Sequence, residues 1–185
     1  MKKQRIAALG AVLLVCFQCR ETIDTNFLIS NGQVGKLSRS SRVGELETIF
    51  AADSLVNSGS ATSLGTGDTR IEIFEKGGKP LLLLTPATDS LERIENVRVI
   101  DPRYTTAEGI SLKSTFKDIR ETYPIRKIIT SLNNVVILPK GKDFYFTISR
   151  EELPASLRYN KDVEIEEVQI PDQARIKYLM VGWEH

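Results

Sequence analysis

Side chains that commonly carry covalent chemistry are scarce in this sequence and lie near its two ends. The single histidine is His185, and both cysteines, Cys16 and Cys19, precede residue 20. A Ser-His-acid triad, a Cys-His dyad and a zinc site of histidine and cysteine all need such residues within the folded body. We therefore expect no catalytic residues, no metal ligands and no cofactor, and the sequence indicates a non-enzymatic protein.

Carboxylates are the remaining side chains that could support hydrolysis. None of them belongs to a recognisable acid and base pair of the kind that glycoside hydrolases use. We expect solvated charges at strand edges, and a carboxylate-dependent hydrolase stays the alternative function. The candidate carboxylates are Glu92, Glu95, Glu151, Glu152, Glu164, Glu166 and Glu167.

Residues 1–19 have the layout of a secretory signal peptide. Lys2, Lys3 and Arg5 precede an apolar run over residues 6–17, and polar sequence follows Cys19. The run is about a dozen residues long, whereas a helix needs roughly 20 apolar residues to cross a bilayer core. The segment is therefore expected to direct export without spanning a membrane.

This arrangement resembles the start of bacterial lipoproteins, in which a signal peptidase cuts just before a cysteine that carries diacylglycerol on its sulfur. The family has Gly, Ala or Ser before that cysteine and this sequence has Gln18, a relaxed site similar to those of Bacteroidota-type bacteria. Cys16 is a rival acceptor. The resemblance implies a signal peptide over residues 1–18, a lipidated Cys19 with a tether over residues 19–26, and export to the periplasmic or outer-membrane side of the cell envelope.

The charge balance argues against two classes of partner. The sequence has 25 basic and 24 acidic side chains, and a signal peptide containing Lys2, Lys3 and Arg5 would leave 22 basic ones. Without a basic excess or a long run of like charge, neither nucleic acid nor polybasic membrane adhesion is expected. The expected partners are the membrane, through the N-terminal lipid, and an unknown envelope protein or ligand.

Three blocks of sequence recur in the same order and indicate an internal duplication. Residues 41–50 and 114–123 share the apolar spacing of a short amphipathic helix. Thr115 and Asp118 resemble a capping box, whereas the first copy must use Ser41 without that partner. Pro124 is expected to end the second helix.

The other two blocks predict strands. Residues 71–85 and 135–148 each predict a hairpin, with glycines at the turn. In both residues 94–101 and residues 165–172, the alternation of apolar residues shifts by one position partway along the segment, which a common β-bulge would explain.

The sequence therefore predicts an α+β fold of two tandem helix-plus-antiparallel-sheet repeats, over residues 27–104 and 105–185. Each unit is expected to contain a helix, a strand, a hairpin and a strand, in that order. A further hairpin, at residues 27–37 or 103–112, is expected before each helix. Residues 175–181 are expected to form the last strand. We expect two antiparallel sheets, each with a helix on one face, packed together. In outline this is similar to tandem β-lactamase-inhibitor-protein-like domains.

Two further features bear on function. Residues 58–68 are rich in glycine and serine, but they lack the Lys-Ser/Thr of a phosphate loop, so a flexible loop is expected. Four aromatic residues could line a binding surface, although packing is the more usual role of such residues in strands. The sequence favours a membrane-proximal binding module that acts through a sheet face or this loop, and the alternative is a hydrolase of envelope polymers. The aromatic candidates are Tyr145, Tyr159, Tyr178 and Trp183.

Overall fold

The computed structural model describes residues 24–58, 70–88, 92–160 and 163–183, which form a mixed α+β structure dominated by sheet. The strands within these residues are β1 (Leu28–Ser30), β2 (Gln33–Val34), β3 (Leu37–Ser38), β4 (Ser54–Ser58), β5 (Arg70–Phe74), β6 (Pro80–Pro86), β7 (Ile94–Val99), β8 (Thr105–Thr106), β9 (Ile125–Thr130), β10 (Asn134–Pro139), β11 (Phe144–Ser149) and β12 (Ile176–Gly182). The α-helices are α1 (Leu46–Ile49), α2 (Phe116–Thr122) and α3 (Ala155–Arg158), and 3₁₀ turns lie at Thr25–Phe27, Val43–Glu45, Arg150–Glu152 and Glu167–Gln169.

Strands from both halves of the chain form one sheet. Among the described residues it has eight strands in the order β4-β5-β6-β7-β12-β11-β10-β9, and every neighbouring pair is antiparallel. In its central pair, Val99 of β7 lies opposite Leu179 of β12. The expectation that each repeat forms a separate antiparallel sheet, with the two sheets packed together, is therefore wrong. Because β7 and β12 each end a meander, their pairing satisfies two edges that separate sheets would leave open.

The third recurring block is a strand in its first copy only. Residues 94–101 contain β7, as expected, whereas residues 165–172 contain a 3₁₀ turn. The Gln169 side chain accepts a hydrogen bond from the Glu166 N–H at 2.9 Å, which stabilises this turn in place of strand pairing. The strand that follows the second hairpin is β12, close to the last strand predicted at residues 175–181.

Both expected helical segments form. Residues 41–50 give a 3₁₀ turn followed by α1, and residues 114–123 give α2, which ends before Pro124. The apolar stripe of each segment faces the core. Its fully buried members are Leu46, Phe50, Phe116 and Ile119.

Acidic side chains cap the two helical segments. The Asp118 carboxylate accepts a hydrogen bond of 2.7 Å from the Thr115 N–H, as the capping-box pattern predicts. In the first segment the Glu45 carboxylate accepts from the Arg42 N–H at 3.0 Å. The expectation that Ser41 caps this helix is wrong, because Arg42 occupies the N-cap position and Ser41 is buried.

A small second sheet, in the order β3-β2-β1-β8, contains the N-terminal hairpin. The predicted turn at Asn31-Gly32 is present, with Gly32 at φ 77°. The chain turns again at Gly35, which has φ 55°, so the expected strand over residues 34–37 is interrupted. A Cβ on Gly35 would lie 2.3 Å from the Asn26 carbonyl oxygen, so this close approach requires glycine. Of the second hairpin, expected over residues 103–112, β8 is the part that forms a strand.

The two faces of the large sheet differ in burial. One face packs with the helices and the small sheet into a single apolar core, to which Val97, Val99, Leu179 and Val181 contribute. The opposite face, here called the outer face, carries a cross-strand row of half-buried side chains that alternate in polarity. In register across β5, β6, β7, β12 and β11 these are Glu72, Leu83, Arg98, Met180 and Tyr145.

Candidate functional site

A cleft of about 730 Å³ lies at one end of the outer face, where the β10–β11 turn meets the end of β12. Its volume is in the range typical of ligand sites. Four neighbouring strands supply the floor, because residues of alternating parity on each strand point to the same face. These floor residues are Asn96 of β7, Gly182 of β12, Tyr145 of β11 and Leu138 of β10.

Asp143 forms the wall of the cleft nearest the small sheet. Its Oδ2 accepts hydrogen bonds from the Gly32 N–H at 2.6 Å, the Trp183 Nε1–H at 3.0 Å and the Arg39 guanidinium at 3.3 Å. The side chain is 9% exposed, and its Oδ1 is buried with no hydrogen-bond partner among the residues that the structure describes. The carboxylate is thus rigidly held through one oxygen, and the other keeps its full capacity to accept a hydrogen bond.

The N-terminal hairpin holds this wall in place. Asn31 donates from its side-chain amide to the Gly141 carbonyl at 2.9 Å, beside the Gly32 bond to Asp143. Trp183, which is 1% exposed, closes the other side. Two turns distant in sequence therefore meet at the mouth of the cleft.

Gly182 gives the floor its shape. A Cβ at this position would lie 3.5 Å from Asn96 Oδ1 and 3.5 Å from Tyr145 Cε1, which is ordinary van der Waals contact. Because Gly182 has no side chain, the Asn96 amide and the Tyr145 ring flank half-buried backbone at this position. Burial raises the pKa of the Tyr145 phenol, so this hydroxyl stays protonated near neutral pH.

Three cationic side chains of the described residues line the cleft. Arg39 is paired with Asp143, and Lys142 forms a 2.9 Å ion pair with Glu108. Arg126 on the edge strand β9 has no ion-pair partner in the described part of the chain. Within the described ranges, the cleft therefore offers one guanidinium without an ion-pair partner, which can bind an anionic group.

A hydrogen-bonded chain fixes the position of Lys142. The Tyr123 hydroxyl lies 2.6 Å from Thr106 Oγ1 and donates to Glu108 Oε2 at 2.6 Å. Burial, with the Glu108 carboxylate, raises the pKa of Tyr123. Burial also raises the pKa of Glu108, but hydrogen bonds from Tyr123 and Lys142 outweigh it and leave the pKa lowered. Glu108 is therefore ionised at neutral pH and holds the Lys142 ammonium over the Tyr123 ring.

The candidate carboxylates from the sequence differ in whether they line the cleft. Glu95 lines the cleft, and its backbone carbonyl accepts from the Trp183 N–H at 2.8 Å. Glu152 instead accepts a hydrogen bond from the Arg175 N–H at 3.2 Å. The candidates that do not line the cleft are Glu92, Glu151, Glu152, Glu164, Glu166 and Glu167.

The four aromatic candidates lie at three different places in the structure. Tyr145 and Trp183 line the cleft. The ring of Tyr178 lies on the outer face under the Arg98 guanidinium at 3.9 Å, and Tyr159 is 77% exposed. Two of the four thus contribute to the candidate site.

Several expectations fall on residues outside the described ranges. These are the signal peptide over residues 1–18, both cysteines, Cys16 and Cys19, residues 19–23 of the expected tether over residues 19–26, and all of the loop at residues 58–68 except Ser58. Within the described ranges, no helix has the length and apolar character needed to span a membrane. No group of three or more His, Cys, Asp or Glu side chains in those ranges is placed to hold a metal ion.

A second polar cluster joins the β5–β6 hairpin to the segment after β7. Asp101, whose side chain is fully buried, accepts hydrogen bonds from the Arg103 N–H at 2.9 Å and its guanidinium at 2.7 Å, and Lys79 pairs with it at 2.9 Å. Burial raises the pKa of this carboxyl, but the hydrogen bonds from Arg103 and Lys79 outweigh it and lower the pKa to about 2. Every donor comes from the protein itself, so the cluster is structural.

Comparisons with known proteins establish the fold. No family model matches the chain, and the curated proteins contain no match. Among solved structures, the chain is similar to the crystal structure of the uncharacterized protein yfeY from Escherichia coli, with a TM-score of 0.60 and 15% sequence identity. The similarity covers 83% of this chain and 98% of that chain, and at this identity it shows a common fold alone.

Proposed function

We propose that this protein is a membrane-proximal binding module of the cell envelope and that the outer-face cleft is its ligand site. The observation that carries the proposal is the buried Asp143 carboxylate, held through Oδ2 by three donors, whereas Oδ1 has no hydrogen-bond partner in the described ranges. A buried polar atom without a partner costs about 1–3 kcal/mol, so a ligand that supplies the donor gains affinity. A preformed cleft with few convergent polar groups is the usual form of a small-ligand site.

Lipid attachment at Cys19 is part of this proposal. The described part of the chain begins within the expected tether of residues 19–26, at Asp24, which accepts a hydrogen bond from the Asn26 N–H. Residues 20–23 would then separate the lipid from the described part. Four extended residues reach roughly 14 Å at about 3.5 Å each. The next element, β1, leads directly to the Asn31-Gly32 turn at the cleft. A ligand in the cleft would therefore be held near the membrane surface.

The tandem repeat belongs to the same proposal. Each half, residues 27–104 and 105–185, has a helical segment followed by a four-stranded antiparallel meander. The order β4-β5-β6-β7 on one side of the large sheet is mirrored by β12-β11-β10-β9 on the other. On this interpretation Asn96 and Gly182, which pair across the central strands, place the cleft at the junction of two related units.

Photo-crosslinking in intact cells tests the cleft as a binding site. A photoreactive amino acid at Glu95, on the cleft rim, is expected to give a defined adduct, and the same group at Val168, which is 85% exposed, serves as a matched surface control. Adding Gly182→Val should abolish the Glu95 adduct, because the new side chain fills the floor. Identical adducts at Glu95 and Val168, or a Glu95 adduct that survives Gly182→Val, would overturn the proposal.

A hydrolase of envelope polymers is the second candidate, favoured by the presence of two carboxylates, Glu95 and Asp143, in one cleft. Asp143 is poorly suited to proton transfer, because three donors fix Oδ2. Turnover of purified envelope polymers by the wild type, lost in Glu95→Gln, would favour the enzyme over the binding module.

A further inference from the structure

We propose that the cleft binds an acidic saccharide, meaning a sugar or short glycan that carries a carboxylate. This inference rests on the cleft being a binding site, as proposed above. Three features support it. Asp143 has a buried oxygen, Oδ1, with no hydrogen-bond donor among the described residues. Tyr145 and Asn96 give the floor an aromatic ring and an amide, and Arg126 places a guanidinium without an ion-pair partner in the described residues at the rim.

Asp143 selects a neutral hydrogen-bond donor. Its Oδ1 can accept a hydrogen bond and cannot donate one while the carboxyl is ionised. The Gly32 and Trp183 donors are fixed by the fold, whereas Arg39 makes the longest contact, 3.3 Å, and its side chain is 51% exposed. If the exposed Arg39 side chain moves away from Oδ2, a ligand hydroxyl can approach the Asp143 carboxylate from the cleft, and the guanidinium becomes available to a ligand carboxylate.

The floor matches the two surfaces of a sugar ring. A pyranose has an apolar face of C–H groups, which packs on an aromatic ring, and an edge of hydroxyls, which pairs with amides and carboxylates. Tyr145 supplies the ring and Asn96 the amide, and the missing side chain at Gly182 leaves room between them. A volume of about 730 Å³ holds a ligand of disaccharide size.

The charges around the cleft exclude simpler ligands. A metal cation would be repelled by Arg39, Arg126 and Lys142, and a small bare anion would meet the carboxylates of Asp143 and Glu95. A saccharide hydroxyl satisfies Asp143 without adding charge, and a carboxylate elsewhere on the same molecule pairs with Arg126. An acidic saccharide therefore satisfies both kinds of group at once.

Three probes test the inference: digalacturonic acid, the neutral disaccharide lactose, and glutarate, a dicarboxylate without hydroxyls. The readout is the indole N–H signal of Trp183, the single tryptophan of the sequence, because that N–H donates to Asp143 Oδ2. Digalacturonic acid should shift this signal saturably. Lactose and glutarate should each bind at least about tenfold more weakly, because lactose lacks the carboxylate that would pair with Arg126 and glutarate lacks the hydroxyls that would bond to Asp143.

Variants assign the contacts. Arg126→Gln should weaken binding of digalacturonic acid about tenfold, the loss expected for one charge-assisted hydrogen bond. Lys127→Gln removes a charge from the neighbouring exposed residue of β9, which does not line the cleft, and should leave binding unchanged. Asp143→Asn should abolish binding when measured by calorimetry, and Gly182→Val should do so if Asp143→Asn fails to fold.

The outcomes separate this inference from the proposed function. No response to digalacturonic acid, or an equal loss in Arg126→Gln and Lys127→Gln, overturns the acidic saccharide. Glutarate binding as tightly as digalacturonic acid shows that the cleft takes carboxylates in general, which overturns the saccharide and leaves the binding cleft standing. Failure of the cleft itself is judged by experiments that do not depend on these three probes, such as the Glu95 crosslinking.

Discussion

The Asp143 carboxylate accepts a hydrogen bond of 2.6 Å from the backbone N–H of Gly32, a residue 111 positions earlier in the chain. The same oxygen accepts from the Trp183 indole N–H at 3.0 Å. Asp143 thus joins the N-terminal hairpin of the small sheet, the β10–β11 turn and the end of β12. One side chain both closes the cleft and connects the two sheets.

Removal of Asp143 should therefore reduce stability as well as binding. Asp143→Ala leaves the half-buried Gly32 N–H and the indole N–H of the buried Trp183 without an acceptor, and we expect a loss of about 2 kcal/mol in the free energy of unfolding. Urea denaturation measures it. Asp172→Ala is the matched control, because Asp172 forms a 2.9 Å ion pair with Arg120 while its side chain is 48% exposed. That variant should lose less than about 1 kcal/mol, and equal losses would contradict the role given to Asp143.

Local sequence patterns predicted much of the fold. Glycines at the β5–β6 and β10–β11 turns, the apolar stripe of α2 and the Asn31-Gly32 turn each act over a few residues, so the pattern and its consequence lie together. The pairing of β7 with β12 was missed because either strand could equally have formed an edge. The alternating apolar residues Val97 and Val99 show that β7 has a buried face, but they do not indicate which strand pairs with it.

The cleft was harder to anticipate for the same reason. Tyr145, Trp183 and Glu95 were candidates by residue type, but Asp143, Gly182, Arg39 and Arg126 carry no local motif. Asp143 follows a predicted turn, and its importance comes from a contact with Gly32 that depends on the complete fold. Residues 165–172 were misassigned because an apolar pattern alone does not distinguish a strand from an extended segment with two buried isoleucines, Ile165 and Ile170.

The Asp101 cluster predicts a specific acid sensitivity. The pKa of the Asp101 carboxyl is lowered from 3.8 to about 2 in the folded protein. The ionised carboxylate therefore stabilises the folded state above about pH 4, and this contribution is lost as the pH falls through 2. The shift corresponds to about 2 kcal/mol. Unfolding measured between these pH values should show this loss in the wild type and a flatter profile in Asp101→Asn. Parallel profiles for the two proteins would contradict the assignment.

Two glycines of the N-terminal region should respond oppositely to alanine. Gly35→Ala places a Cβ 2.3 Å from the Asn26 carbonyl oxygen at φ 55°, and should destabilise the protein by about 1–3 kcal/mol. Gly44 lies in the 3₁₀ turn before α1 with open space around it, so Gly44→Ala should be neutral or stabilising by about 0.5 kcal/mol. Thermal unfolding of both variants checks this, and a stable Gly35→Ala protein would show that the Gly35 turn can rearrange.

Lipid attachment is tested by exchanging the two cysteines separately. Cys19→Ala should release the protein from the membrane fraction and remove the lipid mass from the mature chain. Cys16→Ala is the matched control and should leave both unchanged, because Cys16 lies in the apolar run that the signal peptidase would remove. The reverse result would place the lipid on Cys16, and retention of lipid in both variants would rule out attachment to either cysteine alone.

The most direct test of the cleft as the ligand site uses Trp183 as the reporter. Soluble glycan and peptide fractions from the cell envelope, added to the purified folded domain, should shift the Trp183 indole N–H signal in the wild type and leave it in place in Gly182→Val, whose floor is filled. The backbone signals of the two proteins must first show the same fold. A ligand-induced shift that persists in Gly182→Val, or no shift in the wild type with any fraction, would contradict the claim that this cleft binds an envelope component.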